Sequence, residues 1–407
     1  MSDDLRPPAD LPDHAPLASP LPAPLPGQFG AFIAPYHDPA GNPTRQLRRD
    51  LELIELLDHL GYDEAWVGEH HSGAYEIVAS PELMIAAAAE RTNRIRLGTG
   101  VNSLAYHHPY VLADRIMQLD HMTGGRTMLG IGPGQLPSDA FMMGIDPLRQ
   151  RDMMIEAAEV IQPLLRGEVV TRKTDWFTVD EARLQLRACS PGGIEMAVAS
   201  TASPTGAVLA GRLGLSMLSL AATDPSGFDA LDSNWDAHTQ ACAQHGNPVD
   251  RSKWRVVGSM HLAETREQAE REMEHGVLAL CGYFEGMGNR KVPWSTSPRD
   301  AVQWWMTNGY PVFGIVTVGT PDDAIATIQR LSDKTGGFGT FLFLAHNCAD
   351  WAATQRSYEL FAEYVIPACK KMNINRHGSI GWVGQNSEKF FGAMQQATRE
   401  AIAKYRV

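Results

Sequence analysis

The sequence predicts a (β/α)8 TIM barrel, and three features of it do so. Eight short apolar, β-branched-rich runs recur along the chain, at 29–35, 64–68, 95–101, 127–131, 194–200, 215–220, 255–263 and 340–345. Near-continuous apolar runs suit strands of a parallel sheet buried on both faces. Each run is followed by a helical pattern, the alternation expected of βα units. Polar and glycine-rich stretches stand at several run exits, which a closed barrel would gather at one rim. A doubly wound open sheet is the rival reading, and eight successive alternations favour closure over it.

The elements follow in order. Residues 1–28 carry eight prolines; each fixes φ and removes a donor, so this arm is extended. In "RQLRRDLELIELLDHLGYD" Leu47, Leu51, Ile54, Leu57 and Leu60 recur at helical spacing, and Gly61 supplies the stop. A second helix starts at Pro109 and a third spans about 150–166. Thr320, Pro321 and the acids after them open another over 319–331. Between the seventh and eighth strands lies an irregular, aromatic-rich insertion, 264–338, of the kind that forms a lid or a substrate-binding element. The barrel runs to 372, and 373–407 is a polar tail with one helix from Ser387 to Tyr405.

Composition narrows the function classes. Of 407 residues, 44% are hydrophobic and 20% charged, ordinary for a globular chain. A net charge of −12 argues against nucleic acid or an anionic membrane as a partner. Five widely spaced cysteines, an odd number with no CxxC, argue for free thiols in a reducing compartment. There is neither a signal-peptide pattern nor an apolar run long enough to span a membrane, so a cytoplasmic protein is expected.

"AWVGEHHSG" (65–73) is the stretch where strand chemistry becomes site chemistry, since it delivers Glu69, His70 and His71 at the exit of strand 2. Strand 3 delivers Asn102, Tyr106, His107 and His108. Strand 4 delivers "GIGPG", where Gly132 and Gly134 would let a flat ligand approach the backbone. Strand 5 delivers Ser200, Thr201, Ser203 and Thr205 before a helix, a set suited to an anion held by hydroxyls and free amides. Taken singly, a strand-end histidine, a glycine turn or a helix cap is an ordinary structural feature; the argument rests on four exits together. A metallohydrolase could draw on the same histidines with His346 and Asp350, but strand 1 lacks an HxH pair and offers only His37, so no metal is expected.

These stretches resemble the bacterial luciferase-like family of flavin-dependent monooxygenases over about 29–370. "GYDEAWVGEHHS", the block from "IRLGTGVNSLAYHHP" to "GIGPG", "IVTVGTPDDAI" and "ATQRSYELFAEYVIP" carry the likeness. "AYHHP", "GPGQLPSDA" and "AHNCADW" are most similar to its limonene monooxygenase-type members. The resemblance implies reduced FMN (FMNH2) and O2 as cosubstrates, with a flavin C4a-peroxide oxygenating a small apolar, terpene-like molecule. It makes His70 the active-site histidine, with Glu69 beside it. Gly98, Thr99, Gly100, Asn102 and Tyr106 would line the flavin ring together with Gly132 and Gly134, and the 200–205 turn would hold the phosphate. His71, Tyr283, Phe284, Trp294, Trp304 and Trp305 would wall the substrate. No dinucleotide-binding GxGxxG unit follows strand 1, so a separate NAD(P)H:flavin reductase is the implied partner. A homodimer through the helices near strands 2 and 3 is also implied. Ser72 stands where an aromatic often follows the two histidines, and "GIGPGQ" lacks the reactive cysteine of light-emitting members. Both departures argue against aldehyde luminescence. A deazaflavin-dependent dehydrogenase on the same barrel and a non-catalytic flavin-binding protein are the alternatives.

Overall fold

The computed structural model describes residues 23–34, 36–288, 297–310 and 313–405. Eleven strands are assigned among them: β1 (Gln28–Ile33), β2 (Glu64–Val67), β3 (Arg96–Ser103), β4 (Thr127–Gly132), β5 (Val170–Lys173), β6 (Thr178–Ala182), β7 (Glu195–Ser200), β8 (Ser216–Ser219), β9 (Arg255–Leu262), β10 (Thr317–Gly319) and β11 (Thr340–Leu344). Eight of them pair in parallel in the order β1-β2-β3-β4-β7-β8-β9-β11, and β11 returns to β1. The sheet is therefore the closed barrel expected from the sequence, and its strands are the eight expected runs. Three short strands escaped the sequence reading. β5 and β6 form an antiparallel hairpin, and β10 extends the C-terminal half of β9.

Helices follow the strands in alternation. They are α1 (Pro43–Leu60), α2 (Pro81–Ala89), α3 (Pro109–Met122), α4 (Pro137–Met142), α5 (Gln150–Leu165), α6 (Thr205–Leu213), α7 (Pro225–Asp229) and α8 (Leu231–His245). After β9 come α9 (Arg266–Met273), α10 (Val277–Gly288), α11 (Pro298–Asn308) and α12 (Pro321–Thr335). The chain ends with α13 (Trp351–Leu360), α14 (Ile366–Cys369), α15 (Ile374–Gln385) and α16 (Ser387–Tyr405). Local chemistry sets the boundaries. Asn42 caps α1 by accepting from the Arg45 N–H, and Gly61 ends it at φ 90°. Thr320 and Asp323 cap α12 reciprocally.

The piece between β9 and β11 is mostly regular helix rather than irregular chain. Its prolines at 298 and 321 sit in first turns, where no N–H is needed. The tail holds a second helix, α15, which the sequence reading missed because Gly378, Gly381 and Gly384 interrupt its pattern.

Two cores result. One lies between the barrel and its helices, with Ile54, Ile85, Leu97, Ile116 and Leu129 in it. The other fills the barrel with Phe32, Trp66, Met128, Leu218, Val257 and Leu342, and it continues into Tyr283, Trp305, Tyr310 and Phe313 of the insertion. The barrel floor is ionic. Arg255, 2% exposed, holds Glu64 through Nε and Nη2, both at 2.7 Å, and holds Glu195 through Nη1 at 2.8 Å.

Candidate active site

Parallel strands place all their C-termini at one end, so the exits of β2, β3, β4 and β7 share a rim. These four are neighbours in that order, and β2 and β7 stand three inter-strand steps apart, about 14 Å along the sheet. The catalytic candidate and the proposed anion turn therefore belong to the same end of the molecule.

Glu69 organises the rim. Its carboxylate is buried; Oε1 accepts from His107 Nε2 at 2.7 Å and from His71 Nε2 at 3.0 Å. Oε2 accepts the Ser103 N–H at 2.9 Å and Asn102 Nδ2 at 3.4 Å. Burial pushes this carboxyl up, but the bonds from His107, His71 and Ser103 outweigh it and hold the group at about 2. The same contact raises His71. Arg115 Nη2 donates to His107 Nδ1 at 3.2 Å, which leaves the His107 proton on Nε2, facing Glu69. His107, one of the candidates at the strand 3 exit, is thus part of the network.

His70 sits between two acids that the sequence reading did not single out. Its Nε2 is 2.5 Å from Glu76 Oε2, and its Nδ1 is 3.7 Å from Asp139 Oδ2. Burial favours the neutral ring, yet Glu76 and Asp139 override it and hold His70 at about 10, so the ring is an imidazolium at neutral pH. Asp139, at the start of α4, also accepts the His71 N–H at 3.2 Å and the Ser72 hydroxyl. Glu76 lies in the loop between β2 and α2, and Asp139 lies beyond the β4 glycines. Neither shows a motif of its own in the sequence.

The glycines of β3 and β4 have packing reasons. A Cβ at Gly98 would meet the Trp66 ring at 2.5 Å, and one at Gly100 would meet Phe32 and Trp66 at 2.9 Å. Thr99 Oγ1 bonds the Gly130 carbonyl at 2.9 Å. Gly132 makes room for Val101. Gly134, at φ 94°, makes room for the Tyr106 hydroxyl, which accepts from Gln150 Nε2 at 3.2 Å. Tyr106 is raised by burial to about 12 and meets His71 edge-on at 5.8 Å.

Above the rim, α10 brings Tyr283 into place. Its ring stacks on Tyr36 at 5.8 Å and meets Tyr75 edge-on at 5.4 Å, and its hydroxyl donates to Glu76 Oε1 at 3.4 Å. Phe284 packs on Tyr310 and Phe313, with centroids at 5.0 and 5.5 Å. Trp305 is fully buried and donates to the Gly314 carbonyl, while Trp304 is half-buried against the same cluster. Of the expected substrate wall, His71 belongs to the histidine network itself through Glu69, Tyr283 reaches it through Glu76, and Trp294 lies outside the described residues. Tyr36 and Tyr75, absent from the sequence-based set, complete the aromatic group.

At the β7 exit, Ser200 is buried while Thr201 and Ser203 are exposed. Ser203 and Thr205 hydroxyls are 3.0 Å apart, Ser203 Oγ accepts the Thr205 N–H at 3.4 Å, and Pro204, at the cap position of α6, supplies no side-chain cap. Asn234 of α8 holds the turn by donating to Thr201 O at 2.8 Å and Ser200 Oγ at 3.4 Å. A groove of about 760 Å³ lined by Arg96, Arg187 and Lys253 opens at the opposite, N-terminal end of the strands. The metal-ligand candidates are spent on structure: Asp350 caps α13, His346 bonds the Met260 carbonyl, and His37 bonds Asp50.

A barrel with its polar network at the strand exits beneath an aromatic roof has known relatives. The model of the luciferase-like monooxygenase family matches residues 28–337. The chain is 48% identical over 339 residues to limonene 1,2-monooxygenase of Rhodococcus erythropolis, covering 83% of this chain and 86% of that one. It is 43% identical over 363 residues to 4-hydroxyprotoasukamycin monooxygenase of Streptomyces nodosus subsp. asukaensis, covering 88% and 96%. Among solved structures, the oxygenating constituent of 3,6-diketocamphane monooxygenase of Pseudomonas putida, in complex with FMN, superposes with a TM-score of 0.69. That match has 27% identity and covers 84% of this chain and 99% of that one. Sequence and barrel agree, and the chain belongs to the luciferase-like monooxygenase family.

Proposed function

We propose that this protein is a two-component monooxygenase that uses reduced FMN and O2 to oxygenate a small apolar, terpene-like molecule. The observation that carries the reading is His70, held as a cation by Glu76 and the buried Asp139 at the barrel rim beneath the aromatic roof. The residues present fit a flavin. Asn102 Oδ1 and His70 Nδ1 are buried and have no hydrogen-bond partner among the described residues. Buried polar groups need partners, and a flat heterocycle rich in N–H and C=O groups offers both kinds. The uncapped α6 N-terminus with Ser200, Thr201, Ser203 and Thr205 suits its phosphate. Asn102, Tyr106 and Gly134 would border the ring, with Gly98, Thr99, Gly100 and Gly132 packed behind them.

Reduced flavin, when bound, supplies the activation of dioxygen. This chain's own residues bind, orient and shield. His70 presents a proton at Nδ1, the ring atom not engaged by Glu76, and a well-placed acid of this kind contributes roughly 10²–10⁴-fold. Glu69 fixes the orientation of His71 and His107. Tyr36, Tyr75, Tyr283 and Phe284, with Trp304 further out, keep water from the rim and give an apolar substrate its wall. The reduced flavin comes from a separate NAD(P)H:flavin reductase. The enzyme acts in the cytoplasm as a homodimer through α2 and α3, where Leu83 and Val111 are exposed.

The test is to mix the protein anaerobically with chemically reduced FMN, add ¹⁸O2 and an apolar cyclic alkene or ketone panel, and follow product mass. Incorporation of one labelled oxygen supports the proposal. Saturable binding of a reduced deazaflavin with hydride transfer, and no label from O2, would replace it with the dehydrogenase reading. No saturable binding of FMN in either redox state would end both FMN readings, catalytic and non-catalytic.

A further inference from the structure

The two C-terminal helices touch each other, with the Trp382 and Phe390 rings 5.0 Å apart, but neither is packed into the core of the described residues. None of the residues of α15 or α16 is buried. Helices of this length are marginal alone in water and take their stability from tertiary packing. α15 is worse placed than most, because Gly378, Gly381 and Gly384 each cost about 1 kcal/mol relative to Ala. A Cβ at any of the three would meet nothing within 4 Å, so no packing among the described residues explains them.

The surface they expose is apolar and ordered. On α16, Phe390, Phe391, Met394, Ala397, Ala401, Ile402 and Tyr405 fall on one face at helical spacing, while Lys389, Arg399, Glu400 and Lys404 fall on the other. Phe391, Met394, Ile402 and Tyr405 are 51–77% exposed, and Ile374, Ile380, Trp382 and Val383 of α15 are 42–71% exposed. With Met372 they expose on the order of 900 Å², close to the roughly 800 Å² that one partner gives a standard interface.

Charge selects the occupant. Residues 373–407 hold five Lys and Arg against two Glu, a net +3, so the remaining 372 residues carry −15. A basic amphipathic arm on so acidic a body is complementary to another such body. An anionic membrane would attract the arm but repel the rest. The family match ends at residue 337, and the solved diketocamphane enzyme is matched over 99% of its length by 84% of this chain. The arm therefore lies outside the matched family region.

We infer that α15 and α16 form an arm that packs on a second copy of this chain, each copy covering the other's arm about a two-fold axis. The inference adds a contact to the proposed homodimer and stands apart from the oxygenase chemistry.

Sedimentation velocity on the full chain at micromolar concentration tests it, with hydrogen exchange of 374–405. The expected result is a particle of twice 44.6 kDa whose arm amides lose protection on dilution to monomer. The variant Phe391→Glu/Met394→Glu/Ile402→Glu should dissociate at least 100-fold more readily and lose arm protection, while its FMN affinity stays unchanged. A variant that remains a dimer with wild-type affinity overturns the arm and leaves the α2–α3 dimer standing. A wild-type monomer with a protected arm overturns both. Flotation of the wild type, through the arm, with vesicles of 30% phosphatidylserine in phosphatidylcholine would assign the arm to lipid and also overturn it.

Discussion

Glu76 Oε2 lies 2.5 Å from His70 Nε2, and the other oxygen of that carboxylate accepts the Tyr283 hydroxyl at 3.4 Å. One side chain thus joins the β2 exit, which carries the imidazolium, to α10 of the roof. The carboxylate can satisfy both only when α10 lies against the rim. The position of the roof and the charge on His70 are therefore linked through Glu76.

A first consequence is a pH dependence of stability. His70 is held at about 10 in the folded chain, above its ordinary value near 6.5. A raised histidine adds stability that is complete below about 6.5 and is lost as pH rises towards 10. Replacing Glu76 by Gln removes the larger of the two ionic partners. The melting temperature of Glu76→Gln should lie furthest below wild type at pH 6, and the gap should close by pH 10. A gap that widens with pH would show that His70 is neutral in the folded chain.

The catalytic role of the same ring is tested by His70→Ala. Oxygenated product should fall roughly 10²–10⁴-fold, while the dissociation constant for FMN changes less than about threefold, because the phosphate turn and the β3–β4 rim remain. Product yield and hydrogen peroxide release from one anaerobic charge of reduced FMN separate the two effects. Unchanged product would remove His70 from the chemistry.

Glu69 gives the opposite pH signature. Its carboxylate is held at about 2, so its contribution is present above the ordinary glutamate range near 4.3 and is lost as pH falls towards 2. Glu69→Gln leaves His71, His107 and the Ser103 N–H competing for one amide oxygen, at a cost of roughly 3–5 kcal/mol, that of breaking a buried pair. The deficit, measured by urea unfolding, should be full at pH 7 and should shrink below pH 4.

What the sequence disclosed, and what it hid, divides along physical lines. Apolar runs and caps are local signals, so the eight strands, the Gly61 stop of α1, the Thr320 cap of α12 and the Ser387 start of α16 were all readable. Glu69, His70 and His71 were readable because they stand directly at a strand exit. Glu76, Asp139 and Asn234 were not. Each reaches its partner from a different loop or helix, 6, 69 and 34 residues along the chain from His70, His70 and Ser200 respectively, and no local pattern marks such a meeting. The glycines of β3 and β4 carry a packing requirement that their spacing does not show: a Cβ at Gly98, Gly100, Gly132 or Gly134 would run into Trp66, Phe32, Val101 or Tyr106.

The floor of the barrel carries a prediction of its own. Arg255, itself almost wholly buried, binds Glu64 bidentately and Glu195 singly. Arg255→Met leaves the buried Glu64 with only Trp66 Nε1 at 2.9 Å and Arg96 at 3.6 Å and should cost roughly 3–5 kcal/mol. Arg255→Met with Glu64→Leu should recover part of that, because Glu195 keeps Arg96 at 2.9 Å and the Ser216 hydroxyl at 2.7 Å while the buried Trp66 N–H loses its acceptor. Arg255→Lys should fail to rescue, since an ammonium cannot match the two-point contact. Guanidinium unfolding of the three variants checks the order, and FMN affinity should hold in every variant that folds, because the cluster lies at the far end of the strands.

The phosphate turn is testable by comparing two forms of one ligand. Thr205 opens α6, and its hydroxyl is 3.0 Å from that of Ser203 at an uncapped helix N-terminus. A phosphate there would take the free N–H groups and the positive end of the helix dipole. Thr205→Glu places a carboxylate in the same field, where it caps the helix and repels a second anion. The helix itself should gain slightly, so a loss of affinity cannot come from local unfolding. FMN should bind at least tenfold more weakly, a change of about 1.4 kcal/mol, while riboflavin, which has the same ring and no phosphate, should bind within twofold of wild type. Anaerobic fluorescence titration of both ligands gives the comparison. Equal weakening of the two would mean that the hydroxyls at 200–205 serve only the turn, and that the flavin phosphate, if it binds, is held elsewhere on the rim.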